Sequence, residues 1–280
     1  MTTVAILGAG SAGSAIAQAL ARRARVDRVR LVDADLSAAS GKALDLQQSS
    51  PIDGSPVRLE ATSDVLSASG ASVVVIADSV RDGEWKGEAG LSAIAQLVRA
   101  GTEAPFVFAG ADHSWLMEAA ARELGVAPHR LIGTAPAALV GAVRALVGVE
   151  VNGSGADVQV TVVGRPPKLV VGWSSATIGG SSIGDRVPAH RLIAIAESMN
   201  RLWPPGPQAV AAATAPIVEA LALGSRRLHQ AVTILGQEFA ERGRAALLPL
   251  ELGRGRVIRS VNPSLSPRER LSTGLWKTDA

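Results

Sequence analysis

The sequence predicts an α/β protein in which a parallel sheet with helices on both faces is followed by a smaller α+β region. In the first half, short apolar runs rich in β-branched residues alternate with segments of helical periodicity, the order typical of parallel strands joined by crossover helices. After residue 150, two β-rich runs flank a turn, which indicates an antiparallel hairpin. We therefore predict two domains, over residues 1–148 and 149–280.

The first half alternates between strand and helix. Its opening run, TVAIL, is apolar and stops at a glycine, and small residues at helical spacing come next, so a strand and then a helix are predicted. The same reasoning gives the other pairs. The predicted strands are 3–7, 28–33, 73–77, 106–109 and 130–132, and the predicted helices are 11–24, 37–46, 91–100, 115–124 and 136–147.

In the second half, the β-rich runs 158–163 and 169–173 are predicted to form the hairpin. Helices 190–202 and 208–223 follow, and the three prolines of segment 203–207 separate them because proline cannot continue a helix. Strands are predicted at 231–235 and 245–250. A closing helix is predicted over 266–277, with Ser266 as N-cap and Pro267 at its first position.

Composition excludes several classes of function. The 280 residues include no cysteine, so disulfides, thiolate metal sites, iron–sulfur clusters and cysteine nucleophiles are ruled out. No His-x-x-x-His pair or paired carboxylate cluster occurs, and we expect no metal. The formal charge is +3 and the arginines are scattered without interleaved aromatic residues, which argues against a nucleic-acid partner.

No membrane partner or export is expected. Every uncharged apolar run falls short of the roughly 18 residues that a membrane-spanning helix needs. The basic cluster near the amino terminus follows the first apolar stretch instead of preceding it, which is the reverse of a secretory signal. These features predict a cytoplasmic protein.

A glycine-rich turn joins the first predicted strand to the first predicted helix. Gly8, Gly10 and Gly13 give the spacing G-x-G-x-x-G, and Ser11 and Ala12 stand between the last two. In that motif one glycine makes the tight turn, the next lets the backbone approach a pyrophosphate, and the third lets helix and strand pack closely. The positive end of the helix dipole faces the phosphates. We assign these five residues to a dinucleotide site.

An acidic residue stands where the motif needs one. Asp33 ends the second predicted strand, 33 − 13 = 20 residues after the last glycine, a distance at which a carboxylate binds the adenosine ribose hydroxyls. The carboxylate repels a 2′-phosphate, so NAD is preferred over NADP. Asp35 is interpreted as the N-cap of the next helix, and Ala77, ending strand 73–77, is assigned to the cofactor site. The alternative is a doubly wound domain that has lost its ligand.

The segment RLVDADLSAASGKALDLQQS, residues 30–49, resembles the lactate/malate dehydrogenase family, whose second strand, acidic residue and G-x-A-x-D-L helix have the same order. Segments 73–80, 129–134, 171–180 and 247–255 resemble that family at the expected places. The resemblance implies a Rossmann-type NAD-binding domain followed by an α+β domain. It also implies hydride transfer between nicotinamide and a 2-hydroxy acid. A homodimer or homotetramer is implied as well, with helix 37–46 and helices of the second half as candidate contact surfaces.

The sequence departs from the family at the catalytic positions. The family uses a histidine acid/base, an aspartate that orients it, and arginines that grip and polarise the substrate. The segment matching the histidine hairpin runs from Gly164 to Lys168 and has proline at the place of the proton donor. Residues 138–142, ALVGA, lack the orienting carboxylate and the arginine. Turnover of lactate or malate is therefore not expected.

Two residues are candidates for the missing proton donor. His113 follows strand 106–109 at its carboxyl end, the edge where ligands bind in open α/β sheets; the alternative is an exposed residue in the first turn of a helix. Lys168 belongs to the altered hairpin and would serve as a cationic donor if desolvated; the alternative is a solvated lysine. Arg165, in the same hairpin, is a candidate anion ligand with a similar alternative.

The segment 79–90 corresponds to the family's substrate lid. Arg81 stands near the first lid arginine, whereas Lys86 and a glycine stand where the second would fall. Trp85 is interpreted either as a cover for a flat or apolar substrate or as a contact with a partner subunit.

Two hypotheses about function remain. The first is an NAD-dependent oxidoreductase whose small-molecule substrate is not a simple 2-hydroxy acid anion, since the cofactor residues are intact beside an altered pocket. The second is a catalytically inactive NAD-binding homologue with a structural or regulatory role, since several catalytic residues are absent together.

Overall fold

The structure is a computed structural model that describes residues 1–85, 87–166 and 168–277. Its strands, numbered in chain order, are β1 Thr3–Leu7, β2 Arg28–Val32, β3 Arg58–Thr62, β4 Val73–Ile76, β5 Asp78–Ser79, β6 Gly83–Glu84, β7 Phe106–Phe108, β8 Leu131–Gly133, β9 Val158–Gln159, β10 Val162–Arg165, β11 Lys168–Val171, β12 Thr177–Ile178, β13 Ser181–Ser182, β14 Leu228–Ile234, β15 Ala245–Gly253 and β16 Arg256–Ser260. The α-helices are α1 Ser11–Arg23, α2 Leu36–Asp53, α3 Gly87–Arg99, α4 His113–Glu123, α5 Ala137–Glu150, α6 Ala189–Arg201, α7 Pro207–Leu223 and α8 Pro267–Thr273.

The main sheet runs through both halves of the chain, in the order β11-β10-β15-β14-β8-β7-β4-β1-β2-β3, with β16 paired to β15. From β8 to β3 the neighbours are parallel, which confirms the predicted parallel sheet. The antiparallel strands of the second half join it where Val232 of β14 pairs with Gly133 of β8. The predicted boundary at residue 148 therefore does not divide the sheet, and it stays a prediction.

Side chains that alternate along β1 build two cores, one on each face of the sheet. Val4 and Ile6 are fully buried on one face with residues of α1 and α7, and Ala5 and Leu7 are fully buried on the other with residues of α3, α4 and α5. Strands buried on both faces read as continuous apolar runs. The doubly wound arrangement that the sequence predicts is therefore confirmed.

Several element boundaries differ from the prediction. Helix α2 continues to Asp53, past the predicted end at residue 46, and α8 stops at Thr273 because Gly274 adopts a left-handed conformation with φ of +62°. The predicted hairpin is confirmed as β10 and β11. The beginning of its first run instead forms β9, which pairs with β12 in a separate small sheet.

The described residues include no helix that is both long and apolar enough to span a membrane.

Strand β3 is absent from the predicted elements. It lies at the edge of the sheet, and Arg58 and Glu60 make its sequence more polar than a central strand.

A partly buried ion pair joins the first helix to the second half of the chain. Glu219 of α7 has a side chain that is 4% exposed, and both of its oxygens accept hydrogen bonds from Arg23 of α1, at 2.6 Å and 2.8 Å. The hydrogen bond with Glu219 raises the pKa of Arg23. This pair therefore fixes α1, the helix that follows the glycine turn, against α7.

We expect Arg23→Ala to lower the free energy of unfolding by about 1–3 kcal/mol, because it leaves the Glu219 carboxylate buried with poorer hydrogen bonding. Urea denaturation measures the change. Arg22→Ala is the matched control: Arg22 is exposed and pairs with Asp53 at the surface, an interaction worth less than about 1 kcal/mol. Equal losses of unfolding free energy in the two variants would contradict the role assigned to the Arg23–Glu219 pair.

Candidate functional site

The candidate site lies at the carboxyl ends of β1 and β4, where the direction of strand order reverses. Connections leave the sheet in opposite directions there, and ligands bind in the resulting crevice. Gly8 has φ of +104°, and its N–H donates to the carbonyl oxygen of Val32. A β-carbon at Gly13 would lie 2.0 Å from the carbonyl oxygen of Gly8. The first and third glycines thus make the tight turn and the close helix–strand contact that the motif predicts.

The chain's own Asp78 occupies the turn. Its carboxylate accepts hydrogen bonds from the N–H of Gly13 at 2.8 Å, the N–H of Ala12 at 3.1 Å and the hydroxyl of Ser11 at 3.0 Å. Its main-chain carbonyl oxygen accepts from the N–H of Gly10 at 2.7 Å. The first amides of α1 therefore bind a carboxylate at the place where the motif binds a phosphate.

The second glycine of the motif leaves room for this carboxylate. A β-carbon at Gly10 would lie 2.4 Å from the side-chain Cγ of Asp78, so alanine would displace it. Sequence reasoning missed Asp78. The available signal is an aspartate one residue beyond the apolar strand run that ends at Ala77.

Asp33 is 2% exposed, and its carboxylate accepts hydrogen bonds from main-chain N–H groups of three segments. One carboxylate oxygen accepts from the N–H groups of Ala9 and Val80, at 2.8 Å and 2.9 Å, and the other accepts from the N–H of Asp35 at 2.9 Å. These bonds tie the glycine turn, the segment after β2 and the start of the lid together. Ribose binding by Asp33 stays a prediction.

The interpretation of Asp35 as an N-cap is confirmed. Its carboxylate accepts from the N–H of Ala38 at 3.1 Å and also from Nε of Arg81 at 2.9 Å. The Ala38 bond, followed by Arg81, lowers the pKa of Asp35. The lid residue Arg81 is thus paired with a carboxylate, and its side chain remains 75% exposed.

Lys42 of α2 places a cation on the turn. Its Nζ donates to the carbonyl oxygens of Ala9 and Gly10, the latter at 3.5 Å. Sequence reasoning missed this residue too, although it lies in the segment 30–49 that carries the family resemblance.

Beside the turn is a small cavity of about 110 Å³ at the carboxyl ends of β1, β4 and β7. Ligand pockets usually measure about 300–1,000 Å³, so this cavity is smaller than most. Among its lining residues, Asp78 alone is charged. The lining consists of Ser11, Ala12, Ala77, Asp78, Ala109, Gly110, Ala111, Pro205, Pro207 and Val210.

His113 is 2% exposed, so the alternative of an exposed first-turn residue is wrong. The N–H of Gly110 donates to Nδ1 of His113 at 3.0 Å, and the ring lies edge-on to Phe108 with centroids 6.1 Å apart. A β-carbon at Gly110 would lie 2.4 Å from Nε2 of His113. The imidazole therefore occupies the space that the absent side chain of Gly110 leaves, against a residue of the cavity wall.

The other predicted substrate residues do not line the cavity. Lys168 is exposed on the edge strand β11, in agreement with the solvated alternative and not with a desolvated donor. Arg165 pairs with Glu241 and lies 3.8 Å from Glu118, so its anions are carboxylates of the same chain. Trp85 is half-buried and packs against the core of its own chain.

Lys86, the remaining lid candidate, lies outside the described residues. Within the part of the chain that the structure describes, no group of three or more His, Asp or Glu side chains could hold a metal ion.

The fold and the turn define a doubly wound α/β protein of the dinucleotide-binding class. The family model described as lactate/malate dehydrogenase, NAD binding domain, matches residues 2–89. The malate dehydrogenase of Thermomicrobium roseum is 29% identical over 95% of this chain and 92% of its own length. The malate dehydrogenase of Thioalkalivibrio sulfidiphilus is 28% identical over 96% of this chain and 94% of its own length.

Solved structures share the fold. A lactate dehydrogenase of Cryptosporidium parvum, complexed with lactic acid and NAD, gives a TM-score of 0.87 at 20% identity and covers 98% of this chain and 93% of its own. The malate dehydrogenase of Salinibacter ruber gives 0.82 at 24% identity, with 97% and 93% covered. Residues 2–89 thus match the NAD binding domain of the lactate/malate dehydrogenase family, and the chain is similar to malate dehydrogenases along nearly its whole length. The predicted resemblance is confirmed.

We expect Asp33→Asn to lower the free energy of unfolding of the ligand-free protein by about 1–3 kcal/mol. Asparagine keeps one acceptor oxygen and turns an amide group toward backbone N–H donors, so at least one buried N–H loses its partner. Chemical denaturation without nucleotide measures the effect. Asp35→Asn is the control and should change little, because asparagine is an equally good N-cap. If the two variants behave alike, Asp33 does not hold the turn in the way described.

Proposed function

We propose that the protein is an NAD-dependent oxidoreductase acting on a small uncharged carbonyl compound or alcohol. The observation that carries the proposal is the cavity beside the glycine turn. Its described lining residues are mostly small and apolar and include no arginine or lysine. A carboxylate substrate needs a cation to offset its desolvation. No cation stands among the described lining residues, and this favours a neutral substrate over lactate or malate.

The reaction class in this proposal is taken from the relatives of the chain. They are malate and lactate dehydrogenases, and the matched family model describes an NAD binding domain. When bound, NAD would supply the hydride acceptor or donor. The homodimer or homotetramer expected from the resemblance stays a prediction.

His113 is the proposed proton donor. Because Nδ1 accepts the N–H of Gly110, the neutral ring carries its proton on Nε2. That nitrogen lies against Gly110, which belongs to the cavity wall. We assign Nε2–H as the group that gives its proton to a substrate oxygen held at this wall.

A catalytically inactive NAD-binding homologue is the second candidate. Two observations favour it: Asp78 occupies the phosphate-binding amides, and Pro166 stands in the hairpin that carries the family's catalytic histidine. Nucleotide binding without turnover of any substrate would support this candidate.

A panel of neutral ketones, aldehydes and alcohols, with lactate and malate included, tests the proposal by NADH absorbance at 340 nm. We expect turnover of a neutral substrate. His113→Asn should lower kcat/KM by roughly 10²- to 10⁴-fold, because it removes an acid/base group. His129→Asn is the control, since His129 is exposed.

Circular dichroism of His113→Asn would show that the fold is kept. Wild-type rates in that variant would remove His113 from the mechanism. Preference for lactate or malate would contradict the neutral substrate, and complete silence across the panel would favour the inactive homologue.

A further inference from the structure

We propose that Asp78 is a built-in occupant of the dinucleotide phosphate site, so that NAD binds only after this carboxylate leaves the turn. The inference rests on the NAD use proposed above and concerns how the same site is controlled. It requires that Asp78 and a pyrophosphate compete for the same donors, and that the side chain can leave without unfolding the turn.

The donors are the same. A phosphate at a glycine-rich turn is bound by main-chain N–H groups at the beginning of the helix. Here the N–H groups of Ala12 and Gly13 and the hydroxyl of Ser11 all donate to the Asp78 carboxylate, at 2.8–3.1 Å. An incoming phosphate would find these groups already bonded to an anion.

The space is the same as well. The second glycine of the motif lacks a side chain so that the backbone can approach a pyrophosphate. In this chain that space holds the carboxyl group of Asp78, because a β-carbon at Gly10 would be 2.4 Å from both its Cγ and its Oδ2. Occupation by both groups would bring like charges together and overlap their atoms.

The carboxylate can leave without breaking the turn. Asp78 accepts from Gly10 through its main-chain carbonyl oxygen, and a side-chain rotation leaves that bond in place. Asp78 also begins β5, a two-residue strand that pairs, among the described residues, with β6 of the lid segment. Rotation of one side chain therefore exposes the amides. The apparent affinity for NAD is proportional to the fraction of molecules in which the amides are exposed.

The side chain of Lys42 provides a cation near the place where a phosphate would bind. Nζ of Lys42 donates to the carbonyl oxygens of Ala9 and Gly10. Lys42 also lines a separate surface depression, together with Ser11, Ser14 and the acidic Asp45. The turn thus retains the charge and the hydroxyl groups that suit an anionic ligand once the internal anion has moved.

Asp78→Ser tests the proposal, since serine lacks the carboxylate and has a shorter side chain than aspartate. Calorimetry with NAD and NADH should give a dissociation constant at least tenfold lower for Asp78→Ser than for the wild type. Inorganic pyrophosphate, used as a second probe, should raise the Tm of the variant more than that of the wild type. Without ligand, the ¹⁵N-amide resonances of Ala12 and Gly13 should shift in the variant.

Asp82→Asn is the matched control, because it removes one negative charge from an exposed residue of the same lid segment and should leave NAD affinity within twofold. If Asp78→Ser does not fold, Asp78→Asn keeps the side-chain size and removes the charge, and it should still bind NAD several-fold more tightly than the wild type.

The outcomes separate the two proposals. Equal NAD affinity in the wild type and the Asp78 variants overturns the internal occupant and leaves the oxidoreductase intact. Absence of binding in all proteins overturns both. Tighter binding in Asp78→Ser without turnover of any substrate supports the occupant and favours the inactive homologue.

Discussion

The first amides of α1 need hydrogen-bond acceptors and favour a negative one, and the site is arranged around that preference. The first N–H groups of a helix have no acceptor within the helix, and the helix dipole adds positive charge there. In this protein the N–H groups of Ala12 and Gly13 donate to the Asp78 carboxylate. The glycine turn is therefore a preformed anion site that the chain itself fills.

A second carboxylate holds the shape of this site. Asp33 is buried and binds main-chain N–H groups of the glycine turn and of the lid. Because Ala9 and Val80 share one oxygen of Asp33, the turn and the segment that carries Asp78 are fixed to the same atom. The close approach of Asp78 to the turn follows from this shared anchor.

Sequence reasoning found the parts of the site that local spacing determines. The positions of Gly8, Gly10, Gly13 and Asp33 are set by a strand, a turn, a helix and the next strand, all within one short stretch of chain. Asp78 reaches the turn from 65 residues away, through the adjacency of β1 and β4. A single sequence does not reveal such a contact, because it depends on how the strands are ordered in the sheet.

Other differences also have physical causes. His113 begins α4 with a polar neighbour on each side, which suggests exposure; the missing side chain at Gly110 instead leaves a space that the imidazole fills. Strand β3 has too few apolar residues to stand out, because an edge strand is stabilised by pairing with one neighbour more than by burial.

The pairing of β14 with β8 has a consequence for motion. Hydrogen bonds of one sheet run from the half that contains the glycine turn into the remainder of the chain. The Arg23–Glu219 pair also joins the two halves, because it links α1 to α7. Rigid-body hinge bending between the halves would have to break that sheet. Adaptation to a ligand is therefore confined to short connecting segments around a stiff frame.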